Sequence, residues 1–215
     1  MNVDPTQPLP YVPRKRSDGA LYAALDLGTN NCRLLVAAID TPAGAHMPVG
    51  LRVLDSFSRI VRLGEGISQT GVLSEEAMAR TLAALSICKR KINKYDLKAV
   101  RLVATEACRK ATNTPVFLNR VKEQLDLDIE VISNEEEARL AFLGCSSLLM
   151  ESAHRAIVFD IGGGSTELMW IDVQEAHSRN QKGNKKADDG APEKKVISDW
   201  LSIDSGVMNP ANSAI

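Results

Sequence analysis

Ile157-Val158-Phe159-Asp160-Ile161-Gly162-Gly163-Gly164-Ser165 is an apolar run that ends in Asp-x-Gly and turns through small residues. The same plan stands earlier as Ala23-Ala24-Leu25-Asp26-Leu27-Gly28-Thr29-Asn30-Asn31, with Asp26 matching Asp160 and Gly28 matching Gly162 without a gap. Each copy leaves its turn on a second apolar run, Cys32 to Ile39 in the first and Leu168 to Val173 in the second. Repetition at this separation predicts two related lobes facing one another rather than a solenoid. Glycine lets backbone N–H groups approach an anion closely, and Thr29, Asn30, Asn31 and Ser165 add neutral donors beside Gly28, Gly162, Gly163 and Gly164. A carboxylate beside a phosphate is repulsive unless a cation lies between them, so Asp26 and Asp160 imply Mg²⁺ or bound water. Either turn alone reads as a tight β-turn whose Asp satisfies its own backbone. The matched pair reads as two phosphate cradles. No Gly-x-x-x-x-Gly-Lys-Ser/Thr occurs, which excludes a P-loop.

Outward from the two hairpins, strands and helices alternate. Leu51 to Val61 reads as a third strand before a Gly64-Glu65-Gly66 turn. Ser74 caps a helix with Glu75 and Glu76 in its first turn and Lys89, Arg90, Lys91 and Lys94 near its end, as the macrodipole prefers. Val100 to Ala104 is a buried strand, Thr114-Pro115 opens a helix to about Leu125, and Ile129 to Ile132 is another strand. Ser133-x-x-Glu136 is a capping box whose helix runs to about Met150. Residues 1–20 are Pro-rich, then basic, and read as a disordered arm; residues 174–195 read as a mobile polar loop. Val196 to Ile203 returns as a strand paired with the one before that loop.

Bulk properties narrow the partners. The 215 residues are 44% hydrophobic and 25% charged, ordinary for a globular protein. A formal net charge of -1 excludes bulk attraction to nucleic acid, so an anionic substrate needs a local basic site. Cys32, Cys88, Cys108 and Cys145 form no C-x-x-C pair and read as four buried free thiols in a reducing cytoplasm. No apolar run approaches the length of a membrane span. His46, His154 and His177 show no triad or ligand spacing, and Cys108 reads as packing, not as a nucleophile.

Five segments, in order, resemble the Ppx/GppA phosphatases of the actin-like ATPase superfamily. They are Asp26-Leu27-Gly28-Thr29-Asn30-Asn31-Cys32-Arg33, Val61-Arg62-Leu63-Gly64-Glu65-Gly66, Ala104-Thr105-Glu106-Ala107-Cys108-Arg109, Ile132-Ser133-Asn134-Glu135-Glu136-Glu137-Ala138, and Asp160-Ile161-Gly162-Gly163-Gly164-Ser165-Thr166-Glu167. The resemblance implies an α/β, actin-like (ribonuclease H-like) fold: mixed sheet flanked by helices, two lobes, substrate between them. The first lobe would span residues 21–132 and the second residues 133–215. It also implies release of terminal phosphate from polyphosphate or guanosine pentaphosphate, with Mg²⁺ or another divalent cation. Glu137 and Glu167 match the family's acids, Asp160 and Asp26 its metal-associated positions, and Arg33, Arg62 and Arg109 its basic positions.

The residues also carry their own readings. Glu137 heads an apolar helical stripe of Leu140, Ala141, Gly144 and Leu148, where plain helix-dipole service competes evenly with catalysis. Glu167, taken alone, reads as a solvent-facing strand residue. Arg109 and Lys110 read as exposed loop cations, with Glu106 in the same loop as a second acid behind the site. The Lys89-Arg90-Lys91-Lys94 cluster reads as a solvated helix end. Asn134 stands where the family pattern has glycine, and asparagine tolerates left-handed angles. The second lobe reads as cut short after its first hairpin, since Met208 to Ile215 matches nothing in the family pattern. That predicts weak turnover, an exposed sheet edge and a homodimer as one way of covering it. A truncated, non-catalytic polyphosphate- or partner-binding module is the alternative. An ATP-dependent kinase or chaperone fragment fits the Glu137 and Glu167 motifs less well.

Overall fold

The computed structural model describes residues 19–40, 50–150, 152–176 and 196–203. The N-terminal arm (residues 1–18), most of the polar loop (residues 177–195) and residues 204–215 lie outside the described residues.

Strands β1 (Leu21–Leu27), β2 (Asn31–Asp40) and β3 (Gly50–Ile60) form an antiparallel meander. β4 (Ala99–Ala104) pairs parallel to β1, and the two-residue β5 (Glu130–Val131) pairs parallel to β4. The mixed sheet has the order β3-β2-β1-β4-β5. Parallel pairing requires crossovers, and helices supply them. Between β3 and β4 come a short turn α1 (Ile67–Thr70) and then α2 (Glu75–Ile92). The Ser74 hydroxyl accepts from Ala77 N at 3.1 Å, satisfying one orphan donor of the first turn of α2. Between β4 and β5 come α3 (Glu106–Lys110) and α4 (Thr114–Leu125), the latter ending where Asp126 turns left-handed at φ 49°. Leu25, Leu27 and Leu34 of the sheet pack with Met78 and Leu85 of α2 and Phe117 and Val121 of α4 in one core.

A second, antiparallel sheet has the order β6-β7-β8: β6 (Arg155–Ile161), β7 (Thr166–Asp172) and β8 (Ile197–Ile203). It repeats the β1-β2-β3 meander. Helix α5 (Asn134–Cys145) covers one face, where Ala138 and Phe142 meet Met169, Ile171, Val173 and Val196. Full burial of a side chain such as Met169 stabilises by about 1.5–3 kcal/mol. The opposite face, carrying Ile157, Phe159, Ile161, Leu201 and Ile203, is exposed.

Several expectations are corrected. The helix after Ser133 stops at Cys145 rather than Met150, with residues 146–148 in a 3-10 turn and the Ser146 hydroxyl bonded to Leu143 O at 3.0 Å. Such back-bonding by serine competes with the helical ladder. The Ser133–Glu136 box is half formed: Ser133 Oγ accepts from Glu136 N, while the Glu136 carboxylate is taken by Arg139 and Arg101. Those cations hold Glu136 down at about pKa 2, Arg139 first. Glu106, Arg109 and Lys110 form helix α3 instead of a loop. β7 begins at Thr166, two residues before Leu168. Of the thiols, Cys32, Cys88 and Cys108 are buried and Cys145 is half-buried; burial pushes Cys108 up to about 12, consistent with a packing role. His154 is exposed and meets Gln174 at 2.8 Å, whereas His46 and His177 lie outside the described residues. Among the described residues no helix is long and apolar enough to cross a membrane.

Candidate functional site

The two hairpins are superimposable in their bonding. Asp26 faces Arg33 across β1–β2, and Asp160 faces Glu167 across β6–β7. Gly28 N donates to Asn31 O at 2.9 Å, and Gly162 N donates to Ser165 O at 2.9 Å. The same turn therefore closes both strands, and the difference lies in the charge opposite each aspartate.

The tips of the two turns touch. A Cβ on Gly163 would stand 3.0 Å from Asn30 Cβ and 3.1 Å from both Asn30 N and Thr29 Cβ. One on Gly164 would stand 3.0 Å from Thr29 Oγ1 and from Glu106 Cγ. Only glycine permits that approach. The segment after β3 closes the other side of Thr29. Gly64 N donates to Thr29 O at 2.9 Å, and Val61 N and Arg62 N donate to Asn30 O at 2.8 and 3.0 Å. Arg62 thus reaches the first turn through its backbone, in the left-handed region at φ 49°, while its side chain is exposed. Arg33 is exposed as well, close enough to Asp26 to lower its proton affinity.

Around these tips stand the acids. Glu167 is only 1% exposed and accepts from Ser202 Oγ at 3.2 Å. Burial raises its proton affinity; hydrogen bonds from Ser165 and Ser202 act against that, and Asp160 adds to it. Glu137, in the first turn of α5, is also raised mainly by burial, opposed by Arg109 and reinforced by Glu167 and Asp160. Asp26 is raised by burial, lowered by Arg33 and raised again by Asp160. Three carboxylates from two sheets and one helix, Asp26, Glu137 and Glu167, therefore all feel Asp160. Glu167 is not the solvent-facing residue its strand position alone suggests.

Arg109 is corrected too. It is no exposed cation: Nη2 donates to Glu137 Oε2 at 2.8 Å and Glu106 Oε2 at 2.9 Å, and Nη1 donates to Ile132 O at 2.9 Å. It ties α3 of the first sheet to α5 of the second. Glu106 is buried and stands 2.6 Å from Lys110 Nζ. Thr29 Oγ1, Asn30 Oδ1 and Arg109 Nε are buried without a hydrogen-bond partner. Orphan polar atoms gathered where two loops meet mark a place that accepts a polar ligand.

Among the described residues no three His, Cys, Asp or Glu side chains converge closely enough to cage a cation alone. Mg²⁺ rarely needs such a cage: it keeps waters and shares one or two carboxylates with phosphate oxygens. Asp26 and Asp160, beside the orphan oxygens of Thr29 and Asn30, fit that shared mode. The sequence assigns Ser202 no role, and reads Asn134 only as a position that tolerates left-handed angles. Gly64 carried only a turn signal, and Ser202 and Asn134 meet Glu167 through contacts far apart in the chain.

The Ppx/GppA phosphatase family model matches residues 40–181. The bifunctional 3-dehydroquinate synthase/phosphatase of Fusobacterium nucleatum is 35% identical over 163 residues, covering 74% of this chain and 24% of that protein. The crystal structure of the Aquifex aeolicus Ppx/GppA family member aligns at 29% identity and TM-score 0.65, covering 87% of this chain and 52% of the other. An exopolyphosphatase from Cytophaga hutchinsonii aligns at 26% identity and TM-score 0.69, covering 86% and 51%. The chain spans about half the length of the solved structures it matches, and its mixed sheet flanked by helices is the fold it shares with them.

Proposed function

From the premise that the chain belongs to the Ppx/GppA phosphatase family, we propose that it hydrolyses phosphoanhydrides, releasing orthophosphate from the end of inorganic polyphosphate or guanosine pentaphosphate. The observation that carries this reading is the meeting of the two glycine turns beside Asp160, Glu137 and Glu167.

The chemistry is in-line attack of one water on the terminal phosphorus, with the bond to the bridging oxygen breaking and the shortened chain leaving as an anion. Backbone N–H groups of the turns at Gly28–Asn31 and Gly162–Ser165 orient the phosphate oxygens, and Arg33 offsets their charge. Asp160 and Asp26 would hold Mg²⁺, or another divalent cation, jointly with those oxygens and water, and the ion supplies charge neutralisation there. Glu137 and Glu167 orient the attacking water and take its proton. Their burial makes both better proton acceptors than ordinary carboxylates. Arg109 fixes the Glu137 rotamer, so its guanidinium acts through the acid rather than on substrate.

Phosphate release from long-chain polyphosphate and from guanosine pentaphosphate, with Mg²⁺ and with EDTA, tests the proposal. Weak, metal-dependent release that Glu137→Gln abolishes is the expected result. Release that persists unchanged in Glu137→Gln and Glu167→Gln would overturn it.

A further inference from the structure

Asn134 stands where the family pattern carries glycine, and its backbone is not left-handed. It is the first residue of α5, and its side chain reaches across to the second sheet. Asn134 Nδ2 donates to Ser202 Oγ at 3.3 Å, and Ser202 Oγ donates to Glu167 Oε1 at 3.2 Å. A hydroxyl carries one proton, and a carboxylate only accepts, so the direction is fixed: amide to hydroxyl to carboxylate. Donors aligned in one sense polarise one another.

Three elements meet in this chain of bonds. Glu167 lies on the central strand β7, Ser202 is its register partner on β8, and Asn134 opens the helix that also carries Glu137. The helix that carries Glu137 is thereby tied to Glu167 through the Asn134 and Ser202 side chains. A buried carboxylate with an empty flank can rotate toward whichever donor offers itself. With Ser202 on Oε1, and the hydroxyl itself braced by Asn134, that freedom is removed.

We propose that Ser202 and Asn134 are positioning residues: together they lock the Glu167 carboxylate in the orientation from which it meets the attacking water. Glycine at position 134 would have no side chain to brace Ser202, so the brace depends on Asn134. The proposal rests on the hydrolase reading for its kinetic consequences, and on geometry alone for its spectroscopic ones.

Two measurements on the full chain test it. In the first, phosphate release from long-chain polyphosphate with Mg²⁺ is followed for Ser202→Ala, Ser202→Thr and Asn134→Gly. Loss of one hydrogen bond to a charged group predicts a kcat lower by about tenfold in Ser202→Ala, with KM within about twofold. Ser202→Thr keeps the hydroxyl and restores kcat, Asn134→Gly lowers it about threefold, and neither change lowers the residual rate of Glu167→Gln further. In the second, the Asn134 side-chain amide, assigned by its loss in Asn134→Gly, is expected to exchange slowly with water and to shift in Ser202→Ala. An unchanged kcat in Ser202→Ala, effects that add to Glu167→Gln, or an Asn134 amide indifferent to Ser202→Ala would overturn the proposal. Absence of phosphate release from the wild-type chain refutes the hydrolase reading and leaves the relay to be decided by the amide resonances alone.

Discussion

The first and second hairpins share a strand, an Asp-x-Gly turn, a register and a closing hydrogen bond, yet their surroundings are opposite. Ala23, Leu25 and Leu27 of β1 are 5%, 1% and 1% exposed, whereas the matching Ile157, Phe159 and Ile161 of β6 are 52%, 61% and 66% exposed. In the first sheet α2 and α4 cover that face and β4 pairs with the edge of β1. In the second, among the described residues, nothing occupies either place. The charge opposite the aspartate differs as well: Arg33 in the first hairpin, Glu167 in the second. One backbone device therefore serves two tasks. The first turn is set in a rigid core and offers a cation to an anion. The second carries the acids on a thinner support.

The sharpest way to break this division of labour is through its charges. Glu167→Gln and Glu137→Gln should each lower kcat for polyphosphate by about 10²–10⁴-fold, measured as orthophosphate release. Arg33→Gln should act on KM instead, raising it by about tenfold with a smaller change in kcat. Equal losses of kcat in Arg33→Gln and Glu167→Gln would mean that the two hairpins do not divide the work.

The difference in cover gives the next largest effect. Leu25→Ala opens a cavity in the first core and should destabilise by about 2–5 kcal/mol in urea unfolding. Phe159→Ala at the matching position removes an exposed ring and should change stability by only about 0.5 kcal/mol. A large loss in Phe159→Ala would show that the bare face is covered in solution, as it would be in a homodimer.

Much of this was written in the sequence, and the parts that were not share a physical reason. The two Asp-x-Gly turns, the caps at Ser74 and Ser133, and the Pro115 helix start are local signals, readable where a few adjacent residues fix the backbone. The opposition of the turns was legible because the repeat itself implied facing lobes. The sequence reads Arg109 as an exposed cation because Glu137 and Ile132, which engage it, lie more than twenty residues away. Glu167 reads as exposed because strand alternation says which side a residue faces, not what stands there. Helix α3 is five residues long, too short for a hydrophobic period to declare it.

Glycines of the two turns sharpen the comparison at smaller scale. A Cβ at Gly28 would meet Asn31 O at an ordinary 3.5 Å, while one at Gly163 would press on Asn30 and Thr29 at 3.0–3.1 Å. Gly163→Ala should therefore cost about 1–3 kcal/mol through forced separation of the tips, with Gly28→Ala well below that. Thermal unfolding of the two variants measures the asymmetry. Equal costs would show that the tips are not held in contact.

The smallest effect concerns the acid itself and changes sign with function. Burial raises the proton affinity of Glu167 in the folded chain above its unfolded value. The folded state then holds more protons than the unfolded state between those two pKa values, so the stability contributed by Glu167 is full below the unfolded value and is lost as pH rises through the folded one. Ser165 and Ser202 can donate to an amide oxygen as they do to the carboxylate, so Glu167→Gln keeps both bonds and removes the buried charge. Its melting temperature should exceed that of the wild type by about 2–4 °C at pH 8, a gap that closes as the buffer is taken down toward pH 4. The corresponding change in the first hairpin, Arg33→Gln, removes the cation that lowers the proton affinity of Asp26, so its melting temperature should fall slightly below the wild type at pH 8 and rejoin it toward pH 4. A Glu167→Gln protein that melts below the wild type at pH 8 would mean that this carboxylate stabilises the second lobe rather than straining it, and the contrast between the two hairpins would then be one of charge alone.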